Sequence, residues 1–213
     1  MAKVVIIGIS GASGAPYSVR LLEYLSRVKE VEVHLIISRL GERTIEHETK
    51  YKVADVKKFA DVCYDPSDVG ATLASGSFRR QGMVVVPCSM KTLSALAHSY
   101  AENLIVRAGD VTLKERKPLI VVVRETPLNL GHLRNMVQLT EMGATILPPV
   151  PSFYHKPTAL EHIVDHTAGR ILDQLDIEHD LYIPWSGTAP AQKGTDVASD
   201  NYPSSRDKEV RAY

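Results

Sequence analysis

The chain has 213 residues, 44% of them hydrophobic and 23% charged, which suits one globular domain with its own core and excludes a small module that needs staples. Its 25 basic and 25 acidic residues cancel, so no global field gathers nucleic acid or an anionic membrane, and any anion must be caught locally. Two cysteines, Cys63 and Cys88, with no second pair and no C-x-x-C, argue against a disulfide framework or zinc site and for a reducing, cytoplasmic setting.

The chain opens MAKVVIIGI, and an apolar run of about six residues is too short for a signal segment or a membrane span. It is expected as a strand over 4–9. Three glycines follow, Gly8, Gly11 and Gly14, and then a helical pattern on Tyr17, Leu21, Leu25 and Val28. Further apolar runs stand at VHLIIS (33–38), MVVVP (83–87), PLIVVV (118–123) and ATILPP (144–149), with a helical pattern on Leu133, Met136, Val137 and Met142 before the last. These runs are continuous rather than alternating, as in strands buried on both faces. Their alternation with helices predicts an α/β fold with a doubly wound, mostly parallel sheet. Ligands of such sheets bind at the carboxyl ends of strands, which singles out Ser10–Ser13, Ser38–Arg39, Pro87–Met90, Arg124–Pro127 and Pro149–Tyr154. One domain is expected over 1–185. Residues 186–213 are polar, with too little apolar surface to offset ordering entropy, and read as a mobile tail.

The strand, glycine turn and helix N-terminus over 4–25 make an anion site, because the first helical N–H groups lack partners. A dinucleotide fingerprint needs G-x-G-x-x-G and an acidic residue after the second strand. Here two residues separate Gly8 from Gly11, and the second strand ends in Ser38-Arg39. A P-loop needs Gly-Lys-Ser/Thr, whereas this turn ends Gly14-Ala15-Pro16. A flat ring system or a single phosphate remains, alongside the plainer reading that the glycines only let helix and strand pack closely.

A second such turn, Pro87-Cys88-Ser89-Met90-Lys91-Thr92, offers hydroxyls at another helix start. Cys88 has no neighbouring His and reads as an inert buried cysteine rather than a nucleophile. Arg107 and Lys114 share a helix face, either solvated or functional. Arg124 and Glu125 follow a buried strand, and Tyr154, His155 and Arg170 come after the last one. Tyr, Lys and Arg converging from separate loops would suit a phosphate ester. No H-x-H, H-E-x-x-H or aspartate-rich pattern supplies metal ligands.

Taken together, GASGAPY, ASGSF, PCSMKTLS, NLIxRAxDVxLKER, RETPLN, HLxNM, GAxILPPxPxFYxxP and RILDQL resemble the UbiX-type flavin prenyltransferases, including the B components that accompany phenolic-acid decarboxylases. The match runs over most of residues 3–185. The resemblance implies a flavodoxin-like Rossmann fold, a homo-oligomer with reduced FMN between subunits, and metal-free transfer of a dimethylallyl group from its monophosphate to flavin N5 and C6. The prenylated FMN would serve a UbiD-type decarboxylase. Carried over by position, FMN meets Gly11, Ala12, Ser13, Ser38, Ser89, Thr92 and Arg124, with Arg107 at the boundary to the donor. The prenyl phosphate meets Lys114, Glu125, Tyr154 and Arg170, with Trp185 beside Tyr154. Ser13, Glu48, Glu125 and Tyr154 are the implied catalytic set, Glu48 acting on protons through the first-turn serine. Two positions depart from the family pattern: Val69-Gly70-Ala71-Thr72-Leu73, where relatives carry an aromatic, and Pro184-Trp185, where they read Arg-Trp. A cysteine decarboxylase would need P-A-S-A-N-T and P-x-M-N, which are absent. A non-catalytic FMN carrier of a decarboxylase system is the alternative.

Overall fold

Each apolar run becomes a strand because its two sets of side chains enter different cores. In the computed structural model, which describes residues 2–185 and 187, β1 (Lys3–Ile9) sends Val5, Ile7 and Ile9 into one layer and Ile6 into the other. In β4 (Gly82–Cys88), Val84 and Val86 go one way and Met83, Val85 and Cys88 the other. Fully burying such a side chain contributes roughly 1.5–3 kcal/mol, so a one-residue slip would be costly on both faces at once. With β2 (Val31–Ile37), β3 (Val62–Tyr64), β5 (Leu119–Val123) and β6 (Thr145–Ile146) they form a six-stranded parallel sheet in the order β3-β2-β1-β4-β5-β6.

Among the described residues, seven helices cover the sheet: α1 (Ala15–Leu25), α2 (Arg39–Glu48), α3 (Val53–Lys57), α4 (Met90–Ala97), α5 (Leu104–Lys114), α6 (Leu130–Glu141) and α7 (Leu160–Gln174). One core joins α1 and α7, and the other joins α4, α5 and α6. Four helix starts are fixed by side-chain caps, with Ser38, Ser89, Asn103 and Asn129 accepting from the N–H of Gly41, Thr92, Val106 and His132. Such a cap typically contributes about 1 kcal/mol.

The doubly wound parallel sheet is as expected, with local differences. Edge strand β3 has no continuous apolar run, and its Cys63 is exposed. The last run, 144–149, pairs only at Thr145–Ile146, because Pro148 and Pro149 cannot donate to a ladder. Helix α1 ends at Leu25, and Val28 turns back to the Leu25 carbonyl instead of continuing it. On α6, Met136 packs into the core while Leu133 and Val137 are 45% and 57% exposed. The expected tail, 186–213, lies outside the described residues apart from Gly187.

Candidate active site

Four strand ends are laced together at the carboxyl edge of the sheet. The Ser38 N–H donates to the Ile9 carbonyl (2.9 Å), joining β2 to β1. The Ser10 N–H and hydroxyl both donate to the Pro87 carbonyl (3.2 and 2.9 Å), and its Oγ accepts from the Ser89 N–H (2.8 Å), joining β1 to β4. The Arg124 N–H donates to the Cys88 carbonyl (3.2 Å), joining β4 to β5. This seam crosses the point between β1 and β4 where strand order reverses, the usual place for a ligand in such sheets. It gathers Gly11, Ala12, Ser13, Ser38, Ser89, Thr92 and Arg124 along one edge. Ser13 and Arg124 are exposed, and Ser38, Ser89 and Thr92 are partly buried. The Ser89 hydroxyl also donates to Thr92 Oγ1 (3.2 Å).

The first glycine turn is shaped by two demands. A Cβ on Gly11 would stand 2.3 Å from Leu40 Cβ, so only glycine lets the turn pass α2; Gly14 sits at φ 120°, a conformation that side-chain-bearing residues avoid. The helix N-terminus it leads to is already filled. Glu48 Oε2 accepts from the N–H groups of Gly14 and Ala15 at 2.8 and 2.9 Å, so a carboxylate of the chain itself takes the place where an anion would bind. The link of Glu48 to this turn thus runs through the Gly14 and Ala15 amides. Tyr17 packs against Gly14. Its hydroxyl is pushed up by burial, with the Arg124 cation pulling the other way.

A second group forms at the β6 edge. The Tyr154 hydroxyl lies 3.1 Å from His166 Nε2, and its ring meets the Trp185 ring edge-on at 5.3 Å. One helical turn beyond His166, Arg170 donates to Asp173 (2.6 Å) and to the Tyr182 hydroxyl (3.2 Å). His166, Thr167 and Arg170 line a cavity of about 320 Å3 against Leu147, Pro148 and Val150.

The cations of α5 form a third group. Arg107 pairs with Asp110 (3.0 Å), and Lys114 pairs with Glu115. The helix begins beside the carboxyl end of β3, where the Leu104 N–H donates to the Pro66 carbonyl (2.8 Å). It finishes just before β5 begins. Within one protomer, Lys114 is therefore at the amino edge of the sheet, away from the seam. Glu125 follows Arg124 on the carboxyl edge, exposed, with Oε1 accepting from the Thr126 N–H (3.0 Å).

Residues 1–180 match the family model described as Flavoprotein. The chain is 51% identical over 187 residues to the flavin prenyltransferase UbiX of Salmonella typhimurium, covering 87% of this chain and 99% of that protein. The chain belongs to the UbiX flavin prenyltransferases. Among solved structures, AnUbiX (PadA1) in complex with FMN and dimethylallyl pyrophosphate is similar with a TM-score of 0.86 and 43% identity, over 89% of this chain and all of that one. A dodecameric FMN-dependent UbiX-like decarboxylase from Escherichia coli O157:H7 gives a TM-score of 0.85 and 46% identity, over 86% of this chain and all of that one.

The switch-point residues of this UbiX relative fit FMN, the flavin of the family. Hydroxyls at Ser13, Ser38 and Thr92, the last accepting from Ser89, and the exposed Arg124 could supply donors for one phosphate and a polar ring edge, while Glu48 occupies the neighbouring helix N-terminus. Cys88 is fully buried, and that burial pushes its thiol far up, as in an inert structural cysteine. No sequence motif marks His166 or the bridging role of Ser10, which binds across two turns far apart in the chain. The serine after a buried strand was the available signal for Ser10. A lone histidine in the α7 pattern gave none.

Proposed function

We propose that this flavin prenyltransferase moves a dimethylallyl group from dimethylallyl monophosphate to N5 and C6 of reduced FMN, without a metal, and supplies prenylated FMN to a UbiD-type decarboxylase. The hydrogen-bonded seam at the β1/β4 switch point is the observation that carries this reading, because it aligns the expected flavin-contacting residues on one edge. Gly11, Ala12, Ser13, Ser38, Ser89, Thr92 and Arg124 hold FMN, with Arg107 at the boundary to the donor. Reduced FMN supplies the nucleophilic N5 and C6.

Breaking the allylic C–O bond leaves charge on phosphate, and cations and donors aimed there lower the barrier. Lys114, Arg170 and the Tyr154 hydroxyl take that part, with Glu125 beside the phosphate. Tyr154 and Trp185 present aromatic surface to the allylic group as positive charge develops on it. Glu48 holds the turn that carries Ser13 and serves as a base for the ring-closing step. Among the described residues no group of three or more His, Cys, Asp or Glu is placed to hold a metal ion.

A second copy of the chain supplies Lys114 to the site built by the seam, so the working unit is a homo-oligomer with flavin at its interfaces. The exposed apolar residues Leu130, Leu133, Val137 and Phe153 and the dodecameric relative support this. Among the described residues no helix is long and apolar enough to cross a membrane. We read the location as cytoplasmic from the two free cysteines and assign the enzyme no nucleic-acid or membrane partner. The test is phosphate release: with reduced FMN and dimethylallyl monophosphate, under anaerobic conditions and with chelator present, one phosphate is expected per flavin consumed. Binding of FMN with no phosphate release would instead mark a carrier.

A further inference from the structure

Prenyl transfer as described gives no part to the buried side chain of His166, which lies between Tyr154 and Arg170 in the site. His166 is 7% exposed, and α7 places it four residues ahead of Arg170 on the same helix face. Its ring stacks on His155 (centroids 4.9 Å apart, 13° between planes) and lies 4.8 Å from the Tyr182 ring. The helix beneath is anchored, with Ala168, Ile171 and Leu172 in the α1–α7 core and Asp165 paired with Arg20. Tyr154, in contrast, stands on an irregular segment and is 45% exposed. Its hydroxyl meets His166 Nε2 at 3.1 Å.

We propose that His166 is a positioning residue for Tyr154: its Nε2–H donates to the phenol oxygen, so that the Tyr154 hydroxyl proton is left for the leaving phosphate, one helical turn from Arg170. The inference rests on the reading that Tyr154 serves the prenyl donor. A neutral imidazole donates through one nitrogen only, and the tautomer decides the outcome. If Nε2 accepted instead, the phenol proton would be spent inside the protein. Burial holds the His166 ring below the usual histidine range, with His155 and Arg170 adding to the effect and Asp173 opposing it. The ring therefore remains neutral at neutral pH and adds no second full charge beside Arg170.

The test uses four full-length proteins: His166→Phe, which keeps a stacking ring but no nitrogen, His166→Gln, which restores an N–H near the Nε2 position, Tyr154→Phe, and the double variant with both phenylalanines. The kcat and KM for dimethylallyl monophosphate are measured beside the FMN dissociation constant. H166F is expected to lower kcat about tenfold, in line with one hydrogen bond, with FMN affinity unchanged and H166Q recovering to within about threefold. In the Tyr154→Phe background H166F should cost nothing more, since its only route is through the hydroxyl. An unimpaired H166F beside an impaired Y154F overturns the inference alone, as does an undiminished H166F effect in the double variant. An unimpaired Y154F overturns the reading of Tyr154 and the inference with it. Should H166F fold poorly, nitrogen NMR of the wild-type protein reads the tautomer directly. Protonated Nε2 is expected, and a bare Nε2 overturns the proposal.

Discussion

Glu48 shows how one residue links stability to the site. Its carboxylate satisfies two N–H groups that begin α1, and the same turn carries Ser13. Losing a cap of this kind costs about 1 kcal/mol, or roughly 2–4 °C in a domain of this size. Glu48→Ala should therefore melt earlier by that amount and bind FMN more weakly, while Glu48→Gln, which keeps an acceptor, should melt close to wild type. Thermal melts with and without FMN check both. The position of Glu48 was legible as acidic and site-associated, but its partners were not, because a contact across 34 residues leaves no local pattern. Likewise Arg170 was expected to face a phosphate; its pairing with Asp173 and Tyr182 depends on how the segment after α7 folds back.

Among the elements, the segment carrying A-S-G-S is set by a buried arginine. Arg80 is 5% exposed and donates to the carbonyls of Leu73, Ser75, Phe78 and Ala108 and to Thr112 Oγ1. One guanidinium thereby fastens residues 73–78 to α5, close to Lys114, whose Nζ stands 2.6 Å from where a Gly76 Cβ would be. Replacing it with leucine leaves buried acceptors without donors, each costing about 1–3 kcal/mol. Arg80→Leu is expected to lower the unfolding free energy by at least about 2 kcal/mol in urea titration. Lysine should rescue only part, since a point charge cannot reproduce five forked donors. The strands of this sheet were readable because double burial writes a continuous apolar run. Strand β3 was not, since Val62–Tyr64 is short and lies at an edge. The α6 period was also visible, yet its outward Leu133 and Val137 had no partner that one chain's sequence could reveal.

At the scale of the whole molecule, the protomer places the proposed flavin-contacting residues at the carboxyl edge of the sheet and Lys114 at the amino edge. On the proposed division of the site, assembly closes that gap. Charges placed on the apolar face, as in Leu133→Glu with Val137→Asp, should shift the mass in light scattering towards monomer and abolish turnover. Variants Lys114→Ala and Arg170→Ala, each inactive as a homo-oligomer, should regain turnover when co-expressed. On random mixing about one site in four receives both intact side chains from different copies. No recovery would place Lys114 and Arg170 in the same protomer's half of the site. The family motifs made the chemistry legible from sequence, whereas the proposed division of the site between copies rests on the course of α5 across the sheet.

Whether this chain builds a modified flavin is read most directly from the mass of the flavin extracted after anaerobic incubation of the purified protein with reduced FMN and dimethylallyl monophosphate. The expected product is FMN heavier by one C5 unit; unmodified FMN alone would show that the chain is no prenyltransferase.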